Sequence, residues 1–371
     1  MQLKRGNTSI YKIYKGSSLF FDVRDATATP DFIFYSPPTS NVNYDMSGSG
    51  SLYKYGPSNL DVYTNNLKFT GSINVNEGTL KINNLLANGG SDLISINPSI
   101  INLNNNSTLN LYSNVDVQNR ISLIGKTINF NSNGSQTFNI ERGNILLNNS
   151  VFNVSGGSKK YITNVGGFAT YLNGQGSSIT YNVNNGTDDV DLEVSAYLYN
   201  QIITKNGTGK MLISSQTTSN IQINSGTLVY SYPSNGQVHN IVNNSVLEYN
   251  SPEGNGWTYA NITGTGSFIK SGVGLINFRS GIDSSGLITV QDGTIEKTIS
   301  FIMQNSDTGL ARCRFTKNNL DLYFNSIPAF QSIKIFNGPT SSIYETNITT
   351  NVSSYVFTYN SSTSTLTISN D

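Results

Sequence analysis

The chain has 371 residues, of which 12% are charged, and its 22 lysines and arginines balance its 22 aspartates and glutamates. This balance excludes a net basic surface that would neutralise the phosphates of a nucleic acid. One cysteine and one histidine exclude an internal disulfide framework, a thiolate zinc site and a multi-histidine metal site. No apolar run reaches the ~18 residues that a membrane-spanning helix requires. We therefore expect no cofactor, no nucleic-acid partner and no insertion into a membrane.

The first 47 residues are expected to form an N-terminal region of their own. They lack the repeats found later in the chain and include Pro30, Pro37 and Pro38. The first residues are basic but lead into no apolar segment, so we expect no Sec signal peptide and synthesis in a cytoplasm. The run NTSIYKIYKGSSLFFD at residues 7–22 predicts a short β-hairpin with its turn at residues 15–17.

Residues 48–299 consist of short runs in which polar and apolar residues alternate. Examples are SINVN at 72–76, STLNL at 107–111 and IQIN at 221–224, and Asn-Gly, Ser-Gly or Asn-Asn steps separate the runs. Alternation with a period of two is typical of β-strands, and helical periodicity is nearly absent. The pattern predicts an all-β body.

Two short motifs recur within this body. A Lys-x-Gly motif begins at residues 54, 205 and 270, and a Gly-Thr-Leu or Gly-Thr-Ile motif begins at residues 78, 226 and 293. The intervals from lysine to glycine are 24, 21 and 23 residues. Such a period fits one coil of a solenoid, which turns through three short strands and stacks at the strand spacing of roughly 4.8 Å. Glycine would supply corners with positive φ, and asparagine would supply other corners and ladders between coils.

The densest acidic cluster contains Asp188, Asp189, Asp191 and Glu193. On a strand, Asp189, Asp191 and Glu193 would project from one face. Three interpretations are open. The cluster could be a solvated strand face whose charges oppose edge pairing, or a cation site formed by Asp188, Asp189 and Asp191. Alternatively, Asp189, Asp191 and Glu193 could contribute to the carboxylate pair of a glycoside hydrolase, which would need a second carboxylate from another coil.

A second candidate site is the segment YNSPEGNGWTY at residues 249–259. Its proline and glycines predict a loop that bulges from the solenoid. Tyr249, Trp257 and Tyr259 would then form a sugar-binding surface, on which exposed rings stack against the C–H face of a sugar. The alternative is an aromatic plug that covers a corner of a coil.

Residues 300–371 lose the Gly-Thr motif and are expected to form a C-terminal cap or a small β-sandwich, where subunits could meet. The ends of a solenoid expose apolar interior and strand edges, so the terminal units must differ from the repeats. In this region Cys313 lies between Arg312 and Arg314, which predicts a small buried residue between two exposed arginines.

The repeats resemble those of a known family. The runs GSGSLYKYG at 48–56 and GTGSFIKSG at 264–272, each followed by a Gly-Thr motif, resemble the passenger-associated repeat of bacterial autotransporters. The run YVFTYNSSTSTLTI at 355–368 is similar to the hairpin that often closes such passengers. The resemblance implies a right-handed β-solenoid, or parallel β-helix. The chain departs from the autotransporter plan, because we expect no Sec signal and residues 300–371 are too few for the family's membrane barrel.

The N-terminal run resembles the opening of tailed-bacteriophage structural proteins, which often lies at a virion-attachment end. This resemblance implies a virion surface protein, such as a tail fibre or tailspike subunit, that contacts a host glycan or protein. The N-terminal region would bind other virion proteins, and family analogy implies a homotrimer. The residues expected at the attachment end are Ile10, Tyr11, Ile13, Tyr14, Gly16 and Phe20.

Three other functions are open. A tailspike depolymerase would cleave polysaccharide and would need a carboxylate pair across neighbouring coils. A capsid-decorating head fibre would share the fold but occupy another place on the particle. A bacterial adhesin of the autotransporter type would not belong to a virion.

Overall fold

The structure is a computed structural model. The residues that it describes are 2–3, 19–22, 33–35, 45–63, 66–84, 94–113, 120–164, 171–231, 240–258, 260–278 and 282–370. The chain divides into two compact units, Met1–Ser215 and Gln216–Asp371. Within the described residues, no helix is long and apolar enough to cross a membrane.

The first unit consists of short β-strands. In chain order they are β1 (Gln2–Leu3), β2 (Leu19–Asp22), β3 (Ile33–Tyr35), β4 (Asp45–Gly48), β5 (Leu52–Tyr55), β6 (Asn59–Tyr63), β7 (Asn66–Phe69), β8 (Ile73–Val75), β9 (Gly78–Asn84), β10 (Ile94–Ser95), β11 (Ile100–Leu103), β12 (Ser107–Ser113), β13 (Arg120–Ser122), β14 (Thr127–Phe130), β15 (Thr137–Arg142), β16 (Asn144–Leu146), β17 (Val151–Val154), β18 (Lys160–Asn164), β19 (Tyr171–Asn173), β20 (Ser178–Val183), β21 (Leu192–Val194), β22 (Tyr197–Tyr199), β23 (Ile202–Asn206) and β24 (Lys210–Ile213).

Most of these strands stack in three long sheets, and β4 and β7 form a separate parallel pair. Sheet I has the order β1-β3-β6-β9-β12-β15-β18-β21-β24, sheet II has the order β2-β5-β8-β11-β14-β17-β20-β23, and sheet III has the order β10-β13-β16-β19-β22. β1 pairs with β3 antiparallel, whereas the following neighbours in each sheet pair in parallel. Because successive strands enter different sheets in turn, the unit is a parallel β-solenoid, which confirms the predicted fold class.

The coils of this solenoid differ in length. Register partners on successive coils are 19 residues apart at Leu192 and Met211, and 32 apart at Lys160 and Leu192. In the long coil the connections between β18 and β19 and between β20 and β21 have six and eight residues, whereas the equivalent connections of the preceding coil have one and five, and the strands stay in register. The ladders also include β2 and β3, which lie before residue 48, the expected start of the body.

The core lies inside the coils, because every second side chain of each strand points inward. In sheet II, Ile101, Ile128 and Phe152 lie on successive coils in register and are 0% exposed. On the next coil Tyr181 stacks on Phe152, with ring centroids 5.2 Å apart and an interplanar angle of 5°. Burying each such side chain stabilises the fold by about 1.5–3 kcal/mol.

The outer face of sheet II carries a ladder of asparagines. Each side-chain amide donates a hydrogen bond to the carboxamide oxygen of its register partner on the preceding coil, at 2.8–3.0 Å. A carboxamide both donates and accepts, so identical side chains satisfy one another from coil to coil. The expectation of asparagine ladders is thereby confirmed. The six members are Asn74, Asn102, Asn129, Asn153, Asn182 and Asn206.

The lysine of each Lys-x-Gly motif points into the coil. Lys54, Lys205 and Lys270 are 0% exposed. Their Nζ atoms donate hydrogen bonds to the carbonyl oxygens of the two following residues, at 2.6–3.0 Å. The glycine of the motif has a φ of 72–79° in all three copies. The chain therefore turns a left-handed corner around a buried ammonium group, and that group satisfies carbonyl oxygens that the turn leaves unpaired.

The lysine corner also contacts the next coil. Lys270 Nζ lies 3.4 Å from the carbonyl oxygen of Asp292, the residue before the Gly-Thr-Ile motif. A Cβ atom at Gly293 would lie 2.4 Å from the carbonyl oxygen of Gly272 and 2.8 Å from Lys270 Nζ, so only glycine fits. The corner at Lys54 is built in the same way. The two sequence motifs thus meet on successive coils, and the interval between them is one coil.

The second unit begins with coils and ends in antiparallel sheets. Its strands are β25 (Asn220–Ile223), β26 (Thr227–Tyr230), β27 (Asn240–Asn243), β28 (Val246–Asn250), β29 (Asn255–Thr258), β30 (Asn261–Thr263), β31 (Ser267–Ser271), β32 (Leu275–Phe278), β33 (Ile288–Val290), β34 (Thr294–Ile302), β35 (Thr308–Thr316), β36 (Leu320–Phe324), β37 (Gln331–Lys334), β38 (Ile348–Thr350), β39 (Val356–Asn360) and β40 (Thr365–Ser369), with a 3-10 helix at Ser342–Glu345.

The strand pairing of this unit changes at β34. The orders β25-β27-β30 and β26-β28-β31-β33 are parallel. Sheet IV has the order β29-β32-β34-β35-β36-β38, parallel up to β34 and antiparallel from β34 through β36. A further antiparallel sheet has the order β37-β40-β39. β34 runs across residue 300, the expected start of the C-terminal region, whose function as a cap stays a prediction.

Asn129→Ala interrupts the asparagine ladder in its middle. The substitution removes the hydrogen bond donated to Asn102 and the one accepted from Asn153. At about 0.5–1.5 kcal/mol for each bond, we expect the free energy of unfolding to fall by about 1–3 kcal/mol. Urea unfolding, followed by circular dichroism, measures this free energy of unfolding. Thr127→Ala, on the same strand and face, is the control, and equal losses in the two variants would contradict the contribution of the ladder.

Lys270→Met tests the lysine corner. It leaves the carbonyl oxygens of Ser271 and Gly272 without their donor, so we expect a loss of about 1–3 kcal/mol at pH 7. Burial lowers the pKa of Lys270 to about 8, although Asp292 opposes the shift. A lysine of the unfolded chain titrates near ~10.4, so between about pH 8 and pH 10 the unfolded state binds more protons than the folded state. The free energy of unfolding of the wild type should therefore rise with pH relative to the variant.

Urea unfolding at pH 7, 8, 9 and 10 measures this difference. Lys317→Met, which removes an exposed lysine of the same unit, is the matched control. A constant difference between wild type and Lys270→Met over this pH range would show that Lys270 does not titrate in the folded corner.

Candidate functional site

The acidic cluster does not form the shared face that the sequence predicts. Asp188 and Asp189 lie in a bend before β21, and Asp191 precedes the strand. Asp191 points inward and is buried, whereas Glu193 lies on the outer face of β21. The prediction that Asp189, Asp191 and Glu193 project together is therefore wrong, because the strand begins only at Leu192.

Asp191 has a structural environment. Its Oδ1 accepts a hydrogen bond from the backbone N–H of Gly186, and its Oδ2 accepts one from the backbone N–H of Lys210, both at 2.6 Å. Burial lowers the pKa of Lys205 to about 8 and also lowers the pKa of Lys160. The negative charge of Asp191 partly opposes both shifts. The carboxylate thus holds the bend before β21 and neutralises charge near two buried lysines.

The other carboxylates of the cluster have their own partners. Glu193 Oε2 lies 2.5 Å from Lys159 Nζ, and Asp189 Oδ1 lies 2.9 Å from Lys210 Nζ. Asp188 Oδ2 accepts a hydrogen bond from the backbone N–H of Lys159 at 2.6 Å. Within the described residues, no three His, Cys, Asp or Glu side chains are grouped so that they could hold a metal ion. The cation site expected from Asp188, Asp189 and Asp191 is therefore not assembled.

The aromatic segment at 249–259 contains two strands. β28 ends at Asn250 and β29 begins at Asn255, so only the residues between them form a turn. Tyr249 is 1% exposed, and its ring lies 5.3 Å from Tyr230 and 5.8 Å from Phe268 in the core. The prediction that Tyr249 stacks on a sugar is wrong, because the alternation along β28 turns its side chain inward. Tyr259 lies outside the described residues.

The predicted attachment residues fall almost entirely outside the described residues. Ile10, Tyr11, Ile13, Tyr14 and Gly16 belong to this part of the chain. Phe20 lies in β2, which pairs in parallel with β5, so it belongs to sheet II of the solenoid.

Sheet IV brings together a row of polar residues that lie far apart in the sequence. The register aligns one residue of each of its six strands. Asn277 Nδ2 donates a hydrogen bond to Glu296 Oε1 at 2.7 Å, and Arg314 Nε donates one to Glu296 Oε2 at 2.6 Å. Thr349 Oγ1 donates a hydrogen bond to Asp321. The row consists of Asn277, Glu296, Arg314, Asp321 and Thr349, and the backbone register continues to Trp257 on β29.

A second row beside the first adds apolar surface. Arg312 and Tyr323 are register partners, and the Arg312 guanidinium carbon lies 4.9 Å from the ring centroid of Tyr323, which is 53% exposed. Further along the same face, Leu310 is 50% exposed and Ile302 is 55% exposed. These side chains are outward because their strand neighbours, such as Ala311 and Phe301, are buried.

We call these two rows the sheet IV face. It combines two arginines with two carboxylates, so its formal charge is zero, and it presents an exposed aromatic ring, aliphatic side chains and amides. A flat face of this kind can donate and accept hydrogen bonds and can bury apolar surface against a ligand. Cys313, on the opposite face of β35, is buried, and burial raises the pKa of its thiol to about 12, as expected for an inert residue between exposed arginines.

Most members of this face could not be found from the sequence. Residues 277, 296, 314 and 321 become neighbours only through the register of β32, β34, β35 and β36. The one available signal was Trp257, the single tryptophan of the chain, whose strand β29 places it beside Asn277 in register.

Comparisons with protein-family models, curated proteins and solved structures find no match to this chain. The solenoid fold therefore follows from the strand pairing alone, and the function must be inferred from the surfaces.

Asp191→Ala distinguishes a structural carboxylate from a ligand-binding one. The backbone N–H groups of Gly186 and Lys210 lose their acceptor, and the buried lysines lose a compensating charge. We expect the free energy of unfolding to fall by about 3–6 kcal/mol, since the carboxylate accepts two hydrogen bonds and each bond to a charged group contributes about 1.5–3 kcal/mol. Asp189→Ala is the control, because the Asp189 side chain is 87% exposed and its ion pair should contribute under about 1 kcal/mol. Urea unfolding measures the free energy of unfolding of both variants. Similar decreases in the two variants would contradict the structural role of Asp191.

Proposed function

We propose that the protein is a structural virion surface component, a phage tail fibre or spike subunit, that projects from the particle and contacts the host through the sheet IV face. The observation that carries this proposal is the combination of stacked coils with an outer sheet face that exposes an aromatic ring and two arginines, one of which is paired with the nearly buried Glu296. The resemblance of residues 7–22 to phage structural proteins supports the virion part of the proposal.

Stacked coils suit a projecting protein for a physical reason. Each coil is joined to its neighbours by backbone hydrogen bonds along every sheet and, in sheet II, by the asparagine ladder. Bending such a stack would break many bonds together, so surfaces on it keep fixed positions. A host-contacting surface benefits from this rigidity, because little conformational entropy is lost when it binds.

The sheet IV face suits contact with a host glycan or protein. Tyr323 and its Arg312 partner offer an aromatic and a planar cationic surface, both of which are enriched at binding hot spots. Glu296 is nearly buried and is held by Asn277 and Arg314, so its orientation is fixed before a ligand arrives. In this proposal other virion proteins bind the N-terminal region, and the subunits assemble as trimers by analogy with other fibres.

Gold labelling tests the location. Particles purified from a host that expresses the chain are incubated with a gold-conjugated antibody against residues 249–371. Label at the distal tail is the expected result, and label abolished by pre-incubation with the isolated protein is the control for specificity. Label over the capsid would show that the protein is a head fibre and not a tail fibre. The absence of label on all particles would overturn the virion proposal.

Tyr323→Ala tests the contact surface. We expect binding of the fluorescently labelled protein to host cells to weaken about tenfold or more, because a hot-spot aromatic contributes about 2 kcal/mol or more. Tyr55→Ala removes an exposed tyrosine of the other unit and should leave binding unchanged. If both variants bind cells like the wild type, the contact lies on another surface.

A further inference from the structure

A separate aromatic cluster lies on the outer face of sheet III. Tyr171 and Tyr197 are register partners on successive coils, and Tyr199 follows two residues after Tyr197 on the same strand. The ring centroids are 6.1 Å apart for Tyr171 and Tyr197, 5.1 Å for Tyr171 and Tyr199, and 6.0 Å for Tyr197 and Tyr199. The intervening Leu172 and Leu198 are fully buried, so the three rings face outward together.

Tyr171 and Tyr199 present aromatic surface outside the coil, because Tyr199 is 39% exposed and Tyr171 is half-buried. The three interplanar angles are 73°, 52° and 64°, so no two of these rings stack face to face. Tyr53 and Tyr55, by contrast, are inclined by only 9°, with ring centroids 6.3 Å apart. An aromatic face carries negative electrostatic potential and attracts weakly positive C–H groups.

Uncharged amides border the cluster. Asn173 is the register partner of Tyr199, and its Oδ1 accepts a hydrogen bond from the backbone N–H of Gln175 at 2.8 Å. Gln175 Oε1 in turn accepts a hydrogen bond from Asn148 Nδ2 at 2.7 Å. Asn173 is 8% exposed, whereas Gln175, two residues further along the chain, is exposed and can be reached by a ligand. Each carboxamide has two donor hydrogens and two acceptor lone pairs, so these bonds use only part of its capacity.

We propose that this tyrosine cluster is a binding site for a neutral saccharide. A sugar ring has one face of C–H groups, which suits the tyrosine rings, and hydroxyl groups at its rim, which suit the exposed carboxamide of Gln175. The bordering amides carry no charge, so the site favours a neutral sugar over one with carboxylate or sulfate groups. The site lies in the first unit and does not depend on the sheet IV face or on a virion location.

The test uses the whole purified protein and an immobilised panel of neutral gluco-, galacto- and manno-oligosaccharides, together with uronate- and sialate-containing counterparts. Tyr199→Ser should weaken binding to the neutral probes about tenfold, which corresponds to about 1.4 kcal/mol. Tyr199→Phe keeps the ring and should keep affinity within about threefold of the wild type. Tyr55→Ser is the matched control, because Tyr55 is 38% exposed, nearly as much as Tyr199, and belongs to the stacked pair.

A measurement on the wild type makes the test independent of how the variants fold. In saturation-transfer NMR, irradiation of the aromatic protons should transfer most strongly to the C–H protons of a bound neutral oligosaccharide. Binding of neutral probes that Tyr199→Ser weakens and Tyr55→Ser does not would support the site. Absence of binding to every neutral probe, preference for the acidic probes, or equal effects of the two serine variants would overturn it. These outcomes are read on the isolated protein, so they are independent of gold labelling.

Discussion

A coil of this protein cannot form alone, because the hydrogen-bonding groups of its strands point along the stack and are satisfied only by the coils next to it. The corners are the difficult points, since a turning chain directs carbonyl oxygens toward the interior, where no strand pairs with them. At Lys54 and Lys270 a buried ammonium group provides the missing donors and reaches the following coil as well. At these corners the stack depends on hydrogen-bond donors from a lysine side chain, and the contact with the following coil explains the spacing of the two sequence motifs.

The same requirement shapes the outer faces. Residues of the same column lie about 4.8 Å apart on successive coils, so each outward side chain meets the equivalent side chain of its neighbours. An asparagine can pair with another asparagine, as Asn129 does with Asn102 and Asn153, because it both donates and accepts. A column of like charges would repel at every step. The low charge and the abundance of asparagine in the chain are thus consequences of in-register parallel stacking.

Several features of the structure could be predicted from local patterns, and others could not. Alternation indicates the strands, and the glycines of the Gly-Thr motifs predict corners that are found at Gly78 and Gly293, with φ of 65° and 69°. Lysine is usually exposed, so nothing in a Lys-x-Gly motif indicates that its side chain is buried until the corner carbonyls are in place. Proline, glycine and charge predict exposed side chains at Tyr249 and Asp191, whereas the residue at which a strand begins decides which side chains point inward. The sheet IV face depends on pairing between distant strands, which no local pattern contains.

The change of pairing at β34 coincides with a difference in chemistry between the two proposed surfaces. In the asparagine ladder of the parallel coils a column repeats one side chain, whereas the antiparallel hairpin of β34 and β35 places unlike charges opposite each other. Glu296 can therefore face Arg314, and Arg314 can face Asp321, which gives alternating charges across β34, β35 and β36. The parallel region can instead present an uncharged surface, such as the aromatic column formed by Tyr171 and Tyr197. The two proposed surfaces therefore differ in chemistry, since one repeats neutral side chains in a parallel sheet and the other alternates charges across antiparallel strands.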